Sequence, residues 1–201
     1  MSRKITEDEV EDLIYSARSE DLDGLKHLLN NLCKELGQSE AEVLLQAVDP
    51  YTQSTPLHMA CANGFLEITE YILSKFPTPS PDSPLEPNTT LATFVNDSGN
   101  TALHWACLNG HLKIVEKLCD AGADPFLNNS MGQDALFQAE NNEKLDVVDY
   151  ILTRFQDVLE AEEEEKDRAA EAAERAEAEA NGSTPEGISK QVKKLDIQEE
   201  A

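Results

Sequence analysis

Two stretches of this chain repeat each other almost residue for residue, and this internal repeat constrains the fold more than any other feature. Residues 55–68 read TPLHMACANGFLEI, and residues 101–114 read TALHWACLNGHLKI. A third, weaker copy begins at Asp134, 33 residues after Thr101. A repeat of this length is one supersecondary unit that buries its apolar face against its neighbours. The chain is therefore expected to fold as a stack of helix-turn-helix units.

The shared residues resemble the ankyrin-repeat motif, in which T-P-L-H-x-A is followed by a glycine and a second helix. A degenerate fourth copy lies at the N-terminus, where Leu13 and Ala17 match apolar positions without the T-P-L-H signature. Terminal repeats are expected to be atypical, because their outer faces meet water. The resemblance predicts an all-α ankyrin-repeat solenoid of about four helix-turn-helix repeats with short hairpin tips. Within a domain spanning residues 5–155, the predicted repeats lie near residues 8–33, 50–76, 96–125 and 129–155.

Two further segments differ in composition from the repeats. Thr101 follows Thr55 by 46 residues, and the excess over one period is rich in proline, which cannot continue a helix. We therefore predict a proline-rich insertion over residues 77–92. After residue 155 the chain consists mainly of Ala, Glu, Arg, Lys and Asp, which form helices well but leave no apolar stripe. Residues 156–201 are predicted to be an acidic C-terminal extension, either a solvated helix or a disordered tail.

The chain is strongly acidic, with a formal net charge of -24 at pH 7. Residues 1–155 alone have a net charge of -15, so the repeat body is acidic as well as the extension. Direct binding of nucleic acid is disfavoured, because it depends on clustered Lys and Arg. An anionic membrane surface would repel the chain, and no apolar run reaches the length of a bilayer span. Charge alone leaves two interpretations open, a cationic partner or simple solubility.

Catalysis and metal binding find little support in the sequence. The four cysteines include no C-x-x-C pair, and the four histidines do not fall at metal-ligand spacing with them. The motifs G-x-S-x-G and H-E-x-x-H and a glycine-rich phosphate loop are missing from the sequence. His58 and His104 belong to the repeat motif, where the histidine is expected to tie neighbouring loops by hydrogen bonds. The sequence thus predicts a binding protein with no enzymatic activity, metal or cofactor.

Stacked repeats present a concave groove formed by hairpin tips and inner helices, and their variable positions point into it. Trp105 stands on the inner helix of the most regular repeat. A half-exposed tryptophan there would be a binding hot spot, whereas a buried one would fill space between repeats. The sequence leaves both interpretations open. The predicted partner-binding residues are Tyr15, Tyr51, Met59, Asp97, Asn100, Trp105, Leu108, Asn109, Met131 and Gln138.

A more specific resemblance rests on residues 17–26, on A-L-H-W-A-C-L-N-G over 102–110, and on D-A-L-F-Q-A-E-N over 134–141. Across residues 10–155 the chain resembles a fungal family of ankyrin-repeat chaperones dedicated to the KH-domain ribosomal protein of the small subunit, the S-three protein. The resemblance implies that the chain binds this newly made basic protein, keeps it soluble and escorts it to nuclear pre-40S assembly. It also implies a monomer in a one-to-one complex, present in cytoplasm and nucleus, that reaches nuclear import factors through its client.

A second interpretation remains open, that of an ankyrin adaptor or inhibitor docking a signalling protein or a transcription factor. It predicts a charge-neutral groove and binding that is insensitive to salt. The chaperone hypothesis predicts an acidic groove and binding that weakens as salt is raised.

Overall fold

A computed structural model describes residues 3–77 and 91–180 of the chain. Over these ranges the chain is helical, and its only extended pairing is one isolated antiparallel bridge between Val95 and Thr101. The expected all-α fold is thus confirmed, and no helix of the described ranges is long and apolar enough to cross a membrane. In chain order the helices are α1 (Glu7–Arg18), α2 (Leu22–Leu36), α3 (Glu40–Gln46), α4 (Pro56–Asn63), α5 (Leu66–Leu73), a 3-10 turn (Leu91–Thr93), α6 (Ala102–Asn109), α7 (Leu112–Asp120), α8 (Ala135–Asn141), α9 (Leu145–Arg154) and α10 (Gln156–Ala180).

The inner helices of the four repeats stack in chain order, so that α1 packs on α4, α4 on α6 and α6 on α8. The turn to each outer helix requires a left-handed residue, with φ of +82° at Gly64 and +77° at Gly110. In the two terminal repeats Glu20 and Glu143 take this conformation, with φ of 62° and 57°. A side chain is unfavourable there. Since Glu20 and Glu143 adopt it nevertheless, the terminal repeats keep the backbone of the motif although they lack its glycine.

Repeated leucines and isoleucines form the core of the stack. Leu57 on α4 and Leu103 on α6 occupy the same motif position, and both are fully buried. The outer helices contribute Ile68 and Ile114, which are also buried. Burying each of these side chains stabilises the fold by about 1.5–3 kcal/mol relative to leaving it in water. The solenoid is therefore held by contacts between neighbouring repeats.

The end of the predicted insertion differs from expectation. Leu91 and Ala92, which the sequence placed within residues 77–92, lie in the 3-10 turn and are fully buried. The packed body therefore resumes at Leu91, because these two side chains are apolar and find space in the core. Residues 78–90, which contain four of the five prolines of the predicted insertion, lie outside the described residues.

The chain divides into two compact units, residues 1–151 and residues 152–201. In the second unit Gln156–Ala180 forms helix α10. Of the two forms predicted for the extension, a solvated helix or a disordered tail, this part has the helical one. The described side chains of α10 include no buried residue. Residues 181–201 lie outside the described residues.

Candidate partner-binding groove

The hairpin tips that precede α4, α6 and α8 form a ladder along one edge of the groove. The backbone N–H of Asp97 donates to the carbonyl of Thr52 at 3.0 Å, and that of Ser130 donates to the carbonyl of Ser98 at 3.0 Å. Each tip is thus joined to the one before it. The tips therefore present their side chains in a fixed order along the groove.

The motif histidines hold successive repeats together. Nδ1 of His58 accepts the backbone N–H of Thr55 at 3.2 Å, so Nε2 carries the proton and donates to the carbonyl of Asn100 at 3.1 Å. His104 bonds in the same way to the carbonyl of Gln133 in the next tip, at 3.2 Å. Burial lowers the pKa of His58 to about 4 and also lowers the pKa of His104. Both rings are therefore neutral structural ties at physiological pH, which confirms the hydrogen bonds expected between loops.

Four side chains at equivalent positions form a row on the inner helices, which we call the anchor row. Its members are Tyr15, Met59, Trp105 and Gln138, each five residues before the left-handed turn of its repeat. Tyr15 is 68% exposed, and the other three are half-buried. Trp105 therefore both packs against its neighbours and offers surface to a partner.

A cavity of about 140 Å³ opens on the groove between the third and fourth repeats, and we call it the groove cavity. It brings together residues from α6, from α8 and from the two hairpin tips before them. Five of the predicted partner-binding residues line it. The lining residues are Asn100, His104, Trp105, Leu108, Asn129, Met131 and Gln138.

Other predicted residues lie apart from the groove cavity. Tyr51 is 84% exposed on the first described tip, and Asp97 is exposed on the second. Asn109 donates through Nδ2 to the carbonyls of Ala62 and Trp105, at 3.0 and 3.1 Å, and so bridges α4 and α6. Its side-chain nitrogen is therefore engaged in holding the repeats together. The binding role of all ten residues remains a prediction.

Basic residues are distributed unequally between the two layers of the solenoid. The concave layer consists of α1, α4, α6, α8 and the tips over residues 49–54, 96–101 and 129–134, and its one Lys or Arg is Arg18. Its acidic residues are Glu7, Asp8, Glu9, Glu11, Asp12, Asp49, Asp97, Asp134 and Glu140. The basic residues of the outer helices and their ends are Lys26, Lys34, Lys75, Lys113, Lys117, Lys144 and Arg154, and the acidic residues of these helices are Asp23, Glu35, Glu67, Glu70, Glu116, Asp120, Asp146 and Asp149. Net charge alone did not reveal this division, although assigning each charge to its motif position would have done so.

Within the described ranges, no group of three or more His, Cys, Asp or Glu residues could hold a metal ion. The four cysteines are free thiols, and burial raises the pKa of Cys61 to about 12. This thiol therefore stays protonated and acts as a small apolar side chain of the core.

Comparison with known proteins defines the class. The family model for ankyrin repeats in three copies matches residues 13–129 and 85–162, so the chain belongs to the ankyrin-repeat family. Ankyrin repeat-containing protein YAR1 of Saccharomyces cerevisiae is 41% identical over 171 residues, which cover 85% of this chain and 80% of the yeast protein. The crystal structure of the yeast ribosomal protein Rps3 in complex with its chaperone Yar1 contains a chain that matches with a TM-score of 0.62. That match has 38% sequence identity and covers 76% of this chain and 96% of the yeast chain.

Proposed function

We propose that this chain is a dedicated chaperone of the small-subunit ribosomal protein Rps3. The observation that carries this proposal is the 41% identity, over 85% of the chain, to the yeast protein whose structure is known in complex with Rps3. The chain binds newly made Rps3 one-to-one, covers its basic surface and keeps it soluble. It then accompanies Rps3 from the cytoplasm to pre-40S assembly in the nucleus, where import factors are contacted through the client.

The charge of the groove supports a basic client. Ribosomal proteins are cationic because they bind RNA, and the concave layer has one basic side chain against nine acidic ones. Complementary charge speeds encounter and disfavours wrong partners. The chain acts by binding and not by catalysis, since the rings of His58 and His104 are both used in hydrogen bonds between repeats.

Affinity purification of the tagged chain from its host tests the proposal directly. We expect Rps3 to be the stoichiometric partner and native mass spectrometry to give a one-to-one complex. A signalling protein or a transcription factor recovered in stoichiometric amount in place of Rps3 would contradict the proposal and favour the adaptor interpretation.

Binding of Rps3 is expected to weaken as ionic strength rises. Raising it from about 0.1 to 1 M shortens the Debye length from about 10 to about 3 Å, which screens the acidic groove from its client. We expect the association rate to fall about tenfold or more. Stopped-flow and isothermal titration at low and high salt measure this. An affinity that does not change with salt would count against an acidic groove.

Removal of the extension after Phe155 is expected to leave the melting temperature of the repeat domain nearly unchanged. The described side chains of α10 are not buried, so their loss uncovers no core. The truncated chain should protect Rps3 from aggregation less well, because it has lost acidic residues that attract the client. Thermal denaturation and light scattering measure the two effects. Unfolding of the repeats on truncation would show that the extension is a structural cap.

A further inference from the structure

The groove cavity has the size and walls of a site for one side chain. Its volume is about 140 Å³, and Trp105, Leu108 and Met131 supply its apolar walls. An enclosed apolar cavity of about 150 Å³ holds a molecule the size of benzene. Met131 is 75% exposed, whereas Trp105 and Leu108 are half-buried, so the apolar surface faces the groove.

This composition is specific to the third and fourth repeats. The tips at Asn96 and Asn129 have the same backbone, since each Asn side chain accepts the amides two and four residues later. Yet Ser98 stands where the later tip has Met131. On the inner helices, Ala62 likewise stands where the later helix has Leu108. The preceding pair of repeats therefore lacks two of the apolar walls.

Hydrogen bonds hold the polar rim of the groove cavity in place before any partner arrives. Nδ2 of Asn129 donates to Oδ1 of Asn100 at 2.8 Å and joins the two tips. Oδ1 of Asn129 accepts the backbone N–H of Met131 at 2.9 Å. Nε2 of Gln138 donates to Oε1 of Gln133 at 3.0 Å. A rim whose groups already bond one another loses little conformational freedom when a ligand enters.

We propose that the groove cavity receives one aliphatic side chain from a segment of the client that also carries Lys or Arg, an inference that rests on the proposed function. The apolar walls select the aliphatic side chain. The acids of the two hairpin tips of the third and fourth repeats, Asp97 and Asp134, select its basic neighbours. The tips and inner helices of these repeats contain no Lys or Arg that would repel such a segment. Binding hot spots typically lie in well-packed, desolvated pockets surrounded by contacts that exclude water.

The double variant Leu108→Ala/Met131→Ser tests this inference, because it gives the groove cavity the residues of the preceding pair of repeats. We expect the Kd for Rps3 to rise about tenfold to a hundredfold. The slope of log Kd against log salt should stay that of the wild type, since no charge has changed. Leu145→Ser is the matched control, because Leu145 is a 70% exposed side chain on α9 that does not line the groove cavity. This variant should bind like the wild type, and melting curves confirm that both variants are folded.

A spectroscopic measurement locates the contact independently of affinity. Trp105 is the only tryptophan of the chain, so 5-fluorotryptophan labelling gives a single ¹⁹F signal at the groove cavity. Addition of unlabelled Rps3 should shift this signal. Among alanine substitutions at the aliphatic residues of Rps3, one should abolish the shift of the ¹⁹F signal. The same substitution in Rps3 should cause no further loss of affinity for the double variant.

The outcomes separate the two proposals. If the wild type binds Rps3 while the double variant binds equally well and the ¹⁹F signal does not move, the groove cavity is not the anchor site and the chaperone function stands. If the wild type does not bind Rps3 at all, the proposed function fails, and the inference fails with it.

Discussion

Replacement of His58 by alanine is expected to lower the free energy of unfolding by about 3 kcal/mol, because it leaves the buried N–H of Thr55 without a partner, removes one of two hydrogen bonds to the carbonyl of Asn100 and opens a cavity. The imidazole accepts the N–H of Thr55 and donates to the carbonyl of Asn100, and the residue is fully buried. An unpaired buried group costs about 1–3 kcal/mol, and the lost ring also leaves a cavity, whereas the carbonyl of Asn100 keeps the N–H of Asn96 at 2.9 Å. Urea unfolding followed by circular dichroism measures the change.

His27 on α2 offers the matched control, because it is an exposed histidine that does not belong to the repeat motif. His27→Ala should change the free energy of unfolding by no more than about 0.5 kcal/mol. If His58→Ala costs as little as His27→Ala, the bonds of His58 do not hold the hairpin tip over residues 96–101 in place.

The same histidine should make the stability of the repeats depend on pH. Its pKa is about 4 in the folded chain against 6.5 as the ordinary value, so the unfolded chain binds more protons between these pH values. Stability is therefore complete above about pH 6.5 and falls as pH decreases toward 4, by up to about 3 kcal/mol. Urea titrations between pH 7.5 and 5 should show a steeper loss for the wild type than for His58→Ala. Parallel pH curves for the two proteins would overturn this assignment.

Because the titrations stop at pH 5, protonation of carboxylates with a lowered pKa does not contribute to the measured change in stability. The Arg3 guanidinium lowers the pKa of Glu9 to about 2, and the Thr52 amide lowers the pKa of Asp49. A group with a lowered carboxyl pKa contributes stability that is lost only below its ordinary value, near pH 4. The difference between wild type and variant above pH 5 therefore reports on the histidine.

The second large effect is expected at Trp105. Trp105→Ala should weaken the binding of Rps3 by about 2 kcal/mol, the threshold that defines a hot spot, or roughly 30-fold in Kd. The ring is half-buried, lies in the middle of the anchor row and lines the groove cavity. The array should remain folded, because the leucines and isoleucines of the core stay in place. A binding titration together with circular dichroism measures both properties.

Trp105→Phe is a useful companion variant, because it keeps an aromatic ring at the groove cavity and should lose less affinity than the alanine variant. An alanine variant that unfolds would identify Trp105 as core packing. One that folds and binds Rps3 normally would place the contact surface elsewhere in the groove.

The sequence by itself determined the architecture of this protein. The T-x-L-H-x-A-C-x-N-G segments at Thr55 and Thr101 match each other, and the copy at Asp134 follows Thr101 by one 33-residue period, so they predict helices, turns and core residues together. The structural role of His58 and His104 followed from the same motif. These predictions succeeded because the motif that identifies each residue is local in the chain, although the carbonyls that accept from the two histidines lie in the next hairpin tip.

Only the tertiary structure decided which surface residues meet. Asn100, Trp105, Leu108, Met131 and Gln138 come from two repeats, and they form one cavity because α6, α8 and their tips stack in register. Asn109 was predicted on the same grounds, but its amide bridges α4 and α6. The segregation of basic residues likewise depends on which helix of each pair lies inside. Groove geometry depends on the packing between repeats, and contacts between residues about one period apart leave no local pattern in the sequence.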